Sequence, residues 1–444
     1  MGGLGPDPRQ PERLGDRGDH GNSTVGGDGE DAVYGMTPPH LGDSGDVHEV
    51  NDLGNVGLPK PEGVRISIDR HHAQPELTRA PDRAPLVPAR ADEEDGPFHP
   101  GAMLTGSDKA VSPGRADTLA AVTLTGKRIL LTGGAGFIGS TLARRLVEDN
   151  EIVVLDNLHR DAMSGSELAE HPNLTFIEAD VLDADAVREA ARDATHIVHL
   201  AAIAGVDTVR ESPVRTMRVN VIGTYNVLEG ALATRGSIER LVEISTSEIF
   251  GTHAYNVAEG HVSTIGSVGE TRWTYAVSKL AGEHMSHAYR EEHGIPVVTV
   301  RPFNVFGPGQ IGGGAIRAFI EAALAGRDLT IHGDGSQIRA WCYVDDMVDS
   351  LLLCLERDEA VGQTFNVGNA RSAVTIFDLA QRVQRLTGAA GEIVFQPLHY
   401  ADVELRIPNV EKAREVLGFE AKVELDEGLA RTIAWYREQT PALT

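Results

Sequence analysis

Two side chains four positions apart, Tyr275 and Lys279, could together move a proton. They belong to the segment Tyr275-Ala276-Val277-Ser278-Lys279, which opens a helix-like stretch. Residues at positions i and i+4 lie on one face of a helix, so the ammonium would lie near the phenol. A nearby positive charge favours the phenolate, which can remove a proton from a substrate hydroxyl. The pair is therefore predicted to be catalytic, with Tyr275 as the base in the oxidation of an alcohol.

A glycine-rich turn at residues 132–139 has the pattern of a dinucleotide-binding loop. The segment TGGAGFIG follows an apolar strand-like run and opens a helix-like run. Gly133 permits a tight turn, Gly136 lets the backbone approach a pyrophosphate, and Gly139 allows the helix to pack closely on the strand. The predicted cofactor contacts in this segment are Gly133, Gly136, Phe137, Ile138 and Gly139.

An acidic residue at the end of the second predicted strand indicates which dinucleotide would bind. Asp156, followed by Asn157, lies about 20 residues beyond the glycine turn. A carboxylate there accepts hydrogen bonds from ribose hydroxyls and repels a 2′-phosphate, which favours NAD over NADP. Asp180 and Val181 end the third strand and are expected to meet the adenine, although an ordinary strand-end acid is the alternative. Tyr275 and Lys279 are expected to line the same cofactor site.

Strand-like and helix-like segments alternate over most of the chain. The predicted strands cover residues 127–131, 152–155, 174–178, 197–200, 241–245 and 297–300. Apolar strands separated by amphipathic helices indicate a parallel sheet covered on both faces, so we predict an α/β fold with a Rossmann-type doubly wound sheet. The NAD-binding domain is placed at 121–302. A smaller α/β domain at 303–444, including a strand at 364–367, is predicted mainly to bind substrate, with some segments returning to the Rossmann sheet.

Composition changes near residue 120. Residues 1–120 contain 14 of the 22 prolines and 19 of the 49 glycines, with only two aromatic residues. Such a segment buries too little apolar surface to offset the entropy of ordering, which predicts a disordered, low-complexity extension.

The charge and cysteine content exclude several classes of function. A formal net charge of -25 argues against broad binding to nucleic acid or anionic membranes. No apolar run reaches the ~18 residues of a membrane helix. With only Cys342 and Cys354, a disulfide framework is excluded and a cytoplasmic location is favoured. No segment has metal-ligand spacing.

The motifs together resemble the extended short-chain dehydrogenase/reductase family, over roughly residues 125–440. They are TGGAGFIG, HLAA (199–202), STSEIFG (245–251), YAVSK (275–279), RPFNVFGPG (301–309) and GDGSQIRAWCYVDD (333–346). Members act on nucleotide sugars as epimerases, 4,6-dehydratases and decarboxylases. The resemblance implies cofactor contacts at Leu200, Ala201 and Ala202. It also implies a homodimer formed through two long helices, here residues 219–233 and the helix after Tyr275.

Within that family, the triplet Thr246-Ser247-Glu248 resembles the UDP-glucuronate decarboxylases. Dehydratases that act on dTDP-glucose usually have an aspartate where Ser247 stands, and simple UDP-sugar 4-epimerases usually have a small residue at Glu248. GDP-mannose dehydratases share the triplet but generally use NADP. The resemblance thus implies that Thr246, Ser247 and Glu248 join Tyr275 and Lys279 in catalysis.

Two further residues are assigned to the substrate by the same resemblance. Arg339 matches an arginine that acts near the sugar carboxylate in the decarboxylases and contacts the diphosphate in many other relatives. It is therefore predicted to be both catalytic and substrate-binding, and a planar guanidinium suits either role. Asn304 is expected to contact the substrate diphosphate or sugar, with a structural amide that caps the strand end as the alternative.

The predicted function is NAD-dependent modification of a nucleotide sugar, with a UDP-linked sugar as the expected substrate, through transient oxidation at C4. Decarboxylation of UDP-glucuronate to UDP-xylose or its 4-keto pentose is favoured. The alternatives are a UDP-glucose or UDP-glucuronate 4-epimerase and then a 4,6-dehydratase. A non-catalytic NAD-binding protein is disfavoured, because a pure binder has no need of a tuned tyrosine.

Overall fold

The computed structural model describes residues 123–398 and 402–439. The predicted disordered extension over residues 1–120 lies outside these described residues.

Strands and helices alternate as the apolar pattern predicts. The strands are β1 (Arg128–Thr132), β2 (Glu151–Asp156), β3 (Leu174–Glu178), β4 (His196–His199), β5 (Arg240–Ile244), β6 (His253–Val257), β7 (Val297–Pro302), β8 (Val305–Phe306), β9 (Leu329–His332), β10 (Ile338–Ala340), β11 (Cys342–Tyr343), β12 (Thr364–Val367), β13 (Ala373–Thr375), β14 (Ile393–Gln396) and β15 (Leu405–Pro408). The helices are α1 (Phe137–Leu146), α2 (Ala184–Ala190), α3 (Val206–Glu211), α4 (Pro213–Met217), α5 (Gly223–Ala233), α6 (Thr274–His293), α7 (Ala315–Leu324), α8 (Val344–Glu356), α9 (Ile376–Thr387) and α10 (Leu425–Gln439).

The main sheet has seven strands in the order β12-β7-β5-β4-β1-β2-β3. Every adjacent pair is parallel. The chain runs outward from β1 through β2 and β3, then returns to the other side of β1 at β4. Ligands bind at the carboxyl ends of the strands where the order reverses in this way. The predicted doubly wound parallel sheet is confirmed.

The central strands of this sheet are buried on both faces, whereas the edge strand β3 is largely exposed. Successive side chains of each strand point to opposite faces. On one face, Ile129 and Leu131 of β1 belong to a core that includes α1 and α8. On the other face, Leu130 belongs to a core with α2 and α5. The near-continuous apolar strands are thus explained by burial on two sides.

The chain beyond residue 302 contributes to the main sheet and also forms smaller ones. Strand β12 pairs with β7, and its Phe365 and Val367 are fully buried, so the segment predicted for the smaller domain returns to the main sheet. A second sheet has the order β13-β10-β15-β6. In its parallel β10–β15 pair, Arg339 lies opposite Arg406. That pairing places two arginines side by side near the ends of the main strands.

Candidate active site

A cleft of about 740 Å³ opens at the carboxyl ends of the central strands. This volume suits a small-molecule site, for which 300–1,000 Å³ is typical. Nearly all of the residues selected from the sequence line this one cleft. Those residues are Gly133, Gly136, Phe137, Ile138, Gly139, Asp156, Asn157, Asp180, Val181, Leu200, Ala201, Ala202, Thr246, Ser247, Glu248, Tyr275, Lys279 and Asn304. Arg339 does not line it, whereas Arg406 does.

The glycine turn between β1 and α1 is held tightly by surrounding backbone. Gly133 has a φ of +70°, and a Cβ there would lie 2.5 Å from the backbone nitrogen of Ala201. A Cβ on Gly139 would lie 2.6 Å from the Cα of Gly134, so this glycine packs against the turn itself. Among the described residues, no side chain caps the start of α1 and no acid lies in its first turn. The free N–H groups there suit a pyrophosphate.

Asp156 ends β2 and fixes the glycine turn while facing the cleft. Its carboxylate accepts hydrogen bonds from the backbone N–H groups of Ala135 at 3.1 Å and Leu158 at 2.8 Å. Burial raises the pKa of this carboxyl, and the two hydrogen bonds oppose that effect. Close by, the amide of Asn157 donates to Asp180 at 3.2 Å. These side chains form the end of the cleft that suits an adenosine.

Tyr275, at the start of α6, is half-buried beside the residues that follow β5. A hydrogen bond from Thr246 favours its phenolate, but burial and the Glu248 carboxylate together raise the pKa of the phenol above its ordinary value. Lys279 lies one turn further along α6, as the spacing predicts. Its ammonium, however, donates to Glu243 at 3.0 Å. Glu243 was missed by the sequence analysis, although an acid within the apolar run of β5 was a visible signal.

Glu248 lies in the short helical turn Ser247–Phe250, between two guanidinium groups. Arg272 donates to its carboxylate at 2.6 Å, and Arg406 lies 3.5 Å away. Burial alone would raise the pKa of Glu248, but Arg406 and Arg272 outweigh it and hold this pKa below its usual value. Glu248 is therefore ionised at neutral pH and suited to accept hydrogen bonds.

Arg406 lines the cleft, whereas its neighbour Arg339, which was predicted to contact the substrate, does not. Arg339 is 8% exposed and donates to Asp402 at 3.3 Å. Burial and the neighbouring Arg406 lower the pKa of Arg339 to about 10. Arg406 is also buried, but it lines the cleft, and its Nε and Nη2 have no hydrogen-bond partner among the described residues. Of the two arginines, Arg406 is the one positioned to meet a ligand.

Comparison with known proteins agrees with this geometry. A model of the NAD dependent epimerase/dehydratase family matches residues 129–368. The chain belongs to this family. The predicted membership of the extended dehydrogenase/reductase group is confirmed, and so is the prediction of an NAD-dependent enzyme.

Two relatives and one solved structure illustrate the similarity. A UDP-N-acetyl-alpha-D-glucosaminuronate decarboxylase from Bacillus cytotoxicus is 34% identical over 322 residues, which are 70% of this chain and 98% of that protein. UDP-glucuronic acid decarboxylase 1 from Xenopus tropicalis is 36% identical over 70% of this chain and 73% of its own length. The structure of a UDP-glucuronic acid 4-epimerase from Bacillus cereus, in complex with UDP-glucuronic acid and NAD, has 28% identity and a TM-score of 0.64, covering 70% of this chain and all of that one (100%).

Two asparagines position backbone around the cleft. Asn304 has a φ of +40°, and its amide donates to the carbonyl of Ala340 at 2.9 Å. It therefore has a structural contact as well as a place in the cleft wall. Asn220 is bonded to the backbone of Ile203 at 2.8 Å and donates to Ser278 at 2.9 Å. This contact links the loop after β4 to the helix that carries Lys279.

The cleft also contains basic residues that the sequence analysis did not select. Arg160 donates to the carbonyl of Ala204 at 2.7 Å, and burial lowers the pKa of its guanidinium. Arg215 of α4 lines the same cleft. No local motif marked them, because their place in the cleft depends on how the loop after β2 packs against α3.

Neither a metal site nor a membrane segment is found in the part of the chain that the structure describes. No group of His, Cys, Asp or Glu side chains there could hold a metal ion. Every helix within residues 123–398 and 402–439 is too short or too polar to traverse a bilayer.

Proposed function

We propose that this enzyme removes CO₂ from a UDP-linked hexuronate, with UDP-glucuronate as the first candidate, after oxidising the sugar at C4. The observation that carries this proposal is the ionised Glu248 held between Arg272 and Arg406, in the same cleft as Tyr275. An arginine in the cleft wall, such as Arg406, suits a sugar carboxylate. The decarboxylases among the relatives support the same substrate class.

In the proposed mechanism, Tyr275 removes the proton from the 4-hydroxyl and Thr246 hydrogen-bonds to the same oxygen. NAD⁺, when bound in the cleft, would be the oxidant that accepts the hydride from C4. Its fit rests on the glycine turn, the uncapped start of α1 and the carboxylate of Asp156. Lys279 supports the negative charge that develops on Tyr275.

The resulting 4-ketone lies β to the carboxylate, so loss of CO₂ leaves an enolate in which the ketone stabilises the charge. Arg406 orients the departing carboxylate, while Glu248 and Ser247 hold the sugar. Tyr275 or a water then returns a proton to carbon. Hydride return would give UDP-xylose, and release before it would give the 4-keto pentose.

Mass spectrometry of the products is the direct test of the proposed reaction. Purified protein incubated with UDP-glucuronate, with and without added NAD⁺, is expected to yield a product that has lost CO₂. The ratio of pentose to keto-pentose reports whether the hydride returns. If UDP-glucuronate is unchanged, the assay is repeated with UDP-N-acetylglucosaminuronate. Loss of CO₂ from this second sugar would mean that the substrate is a different hexuronate, and no loss would mean that the proposed reaction is wrong.

A UDP-hexuronate 4-epimerase is the second candidate, favoured by the similarity to the Bacillus cereus epimerase structure. It would use the same oxidation by Tyr275 and return hydride to the other face of the sugar. An isomer of unchanged mass would establish it and exclude the decarboxylase. Loss of water from a neutral nucleotide sugar would instead indicate a 4,6-dehydratase.

Arg406 and Arg339 provide a matched pair of variants. We expect Arg406→Gln to lower kcat/KM for the hexuronate by about 100-fold, because truncating one partner of a buried charge pair typically costs this much or more. Arg339→Gln should cost less than 10-fold, since this side chain lies outside the cleft. Steady-state kinetics with both variants measures the difference. If Arg339→Gln lowers kcat/KM more than Arg406→Gln does, Arg339 is the residue that binds the substrate carboxylate.

We also propose that the enzyme has an NAD-binding part and a substrate-binding part, and that it forms a homodimer. Asn304 and Arg406 support a mainly substrate-binding role for residues 303–444, opposite an NAD-binding part at 121–302. A homodimer through α5 and α6 is supported by exposed apolar side chains on that surface. These are Ile222 (42% exposed), Tyr225 (46%) and Val277 (40%). A cytoplasmic location is supported by two free, buried cysteines.

A further inference from the structure

Glu243 is an acidic side chain in the middle of a central, fully buried strand. All residues of β5 are buried, Glu243 among them. An ionised carboxylate in such a place is costly unless a charged partner compensates it. A side chain that serves only packing would be apolar here, as its neighbours Val242 and Ile244 are.

The surroundings give Glu243 one charged hydrogen-bond partner, Lys279. The distance is 3.0 Å, and both side chains are almost completely buried, at 3% and 1% exposure for Lys279 and Glu243. The second carboxylate oxygen has no hydrogen-bond partner among the described residues. Gly282 of α6 makes room for the pair, because a Cβ there would lie 3.2 Å from the carboxylate.

Other titratable groups face this pair from the neighbouring elements. Glu283 of α6 lies near Glu243 but is bonded to Arg301 of β7 at 2.7 Å. His199 of β4 is buried, which holds its pKa well below the usual value and leaves it neutral. The Glu243 carboxylate also raises the pKa of Tyr275, after burial and Glu248. Lys279 is thus the cation that compensates Glu243.

We propose that Glu243 is a positioning residue that keeps the Lys279 ammonium in place and charged beneath Tyr275. The pair is electroneutral, so it can be buried behind the cleft, and its negative member moderates the effect of the ammonium on the phenol. The role in turnover rests on the proposed function of Tyr275 as the base. The existence of the Glu243–Lys279 ion pair does not depend on that function. The ion pair and the proposed function can therefore be tested separately.

The first test is the pH profile of kcat for Glu243→Gln. The Glu243 carboxylate raises the pKa of Tyr275, so its removal should lower that pKa. The limb of the profile that reports this base is therefore expected to move to lower pH, by about one unit. Glu283→Gln is the matched control. It removes a buried carboxylate from α6, the helix that carries Lys279, but this carboxylate is bonded to Arg301 and not to Lys279. A Glu243→Gln profile that coincides with the wild-type profile would overturn the proposal.

The second test needs no turnover. Glu243→Gln leaves the buried Lys279 ammonium without the carboxylate beside it, so its Tm should be lower than that of wild type. Glu243→Asp keeps a carboxylate on this strand and should recover part of the loss. A Glu243→Asp variant that is no more stable than Glu243→Gln would refute the ion-pair role.

A double variant guards against a single variant that fails to fold. Glu243→Leu with Lys279→Met removes both charges and should have a higher Tm than either single change. A double variant no more stable than the singles would contradict the pairing. If the wild-type protein turns over no nucleotide sugar, the proposed function fails, while the two Tm experiments still decide the role of Glu243.

Discussion

Replacing Tyr275 by Phe is expected to lower turnover of the nucleotide sugar by 10³-fold or more while NAD still binds. The variant keeps the ring that packs in the cleft wall but lacks the oxygen that accepts the proton, and general-base catalysis contributes about 10²–10⁴ in rate. Turnover is measured by product formation, and NAD binding by calorimetry. Near-wild-type activity of the Phe variant would refute Tyr275 as the base.

The wild-type pH profile gives a second view of the same residue. Burial and Glu248 raise the pKa of Tyr275, so the phenolate becomes more populated as the pH increases. Activity that depends on this base should therefore rise with pH through the neutral range. The residual activity of Tyr275→Phe should lack this dependence, which separates loss of the base from a general loss of folded protein.

Replacing Glu248 by Gln is expected to reduce CO₂ release by about 10²–10³-fold and C4 oxidation by much less. Arg272 and Arg406 keep Glu248 ionised, so the change removes a charge at every pH near neutrality. It also removes a carboxylate from beside the buried guanidinium groups of Arg272 and Arg406, and breaking a buried ion pair costs several kcal/mol. The substrate carboxylate would then be held in the wrong position for cleavage.

Rapid-mixing measurements separate the two steps in Glu248→Gln. Reduction of the nicotinamide is followed by absorbance, and CO₂ release is followed with substrate labelled in the carboxylate. Equal loss in both steps would contradict a specific role of Glu248 in the loss of CO₂. Glu239→Gln is a suitable control, since Glu239 forms a half-exposed ion pair with Lys127 and is expected to leave both steps unchanged.

The sequence alone determined the sheet, the cofactor and most of the cleft. The predicted strand bounds agree with the structure within two residues over β1–β5. Short apolar runs of this length are typical of buried strands and can be recognised in the sequence. The glycine turn and Asp156 were recognisable because a glycine motif between a strand and a helix is followed, at a typical spacing, by an acid. Tyr275 and Lys279 share a face of α6 because helical geometry places them there.

Only the tertiary structure decided which charges meet. Lys279 is paired with Glu243 across α6 and β5, and Glu248 is paired with Arg406 of β15. Arg339 and Arg406 become neighbours only when β10 and β15 pair, and that pairing leaves Arg406 in the cleft wall. Coulombic interactions depend on distance and burial, which a linear sequence does not contain for residues far apart in the chain. Local sequence motifs therefore identify the reactive residues, while the fold decides which charged side chains lie beside them and shift their pKa values.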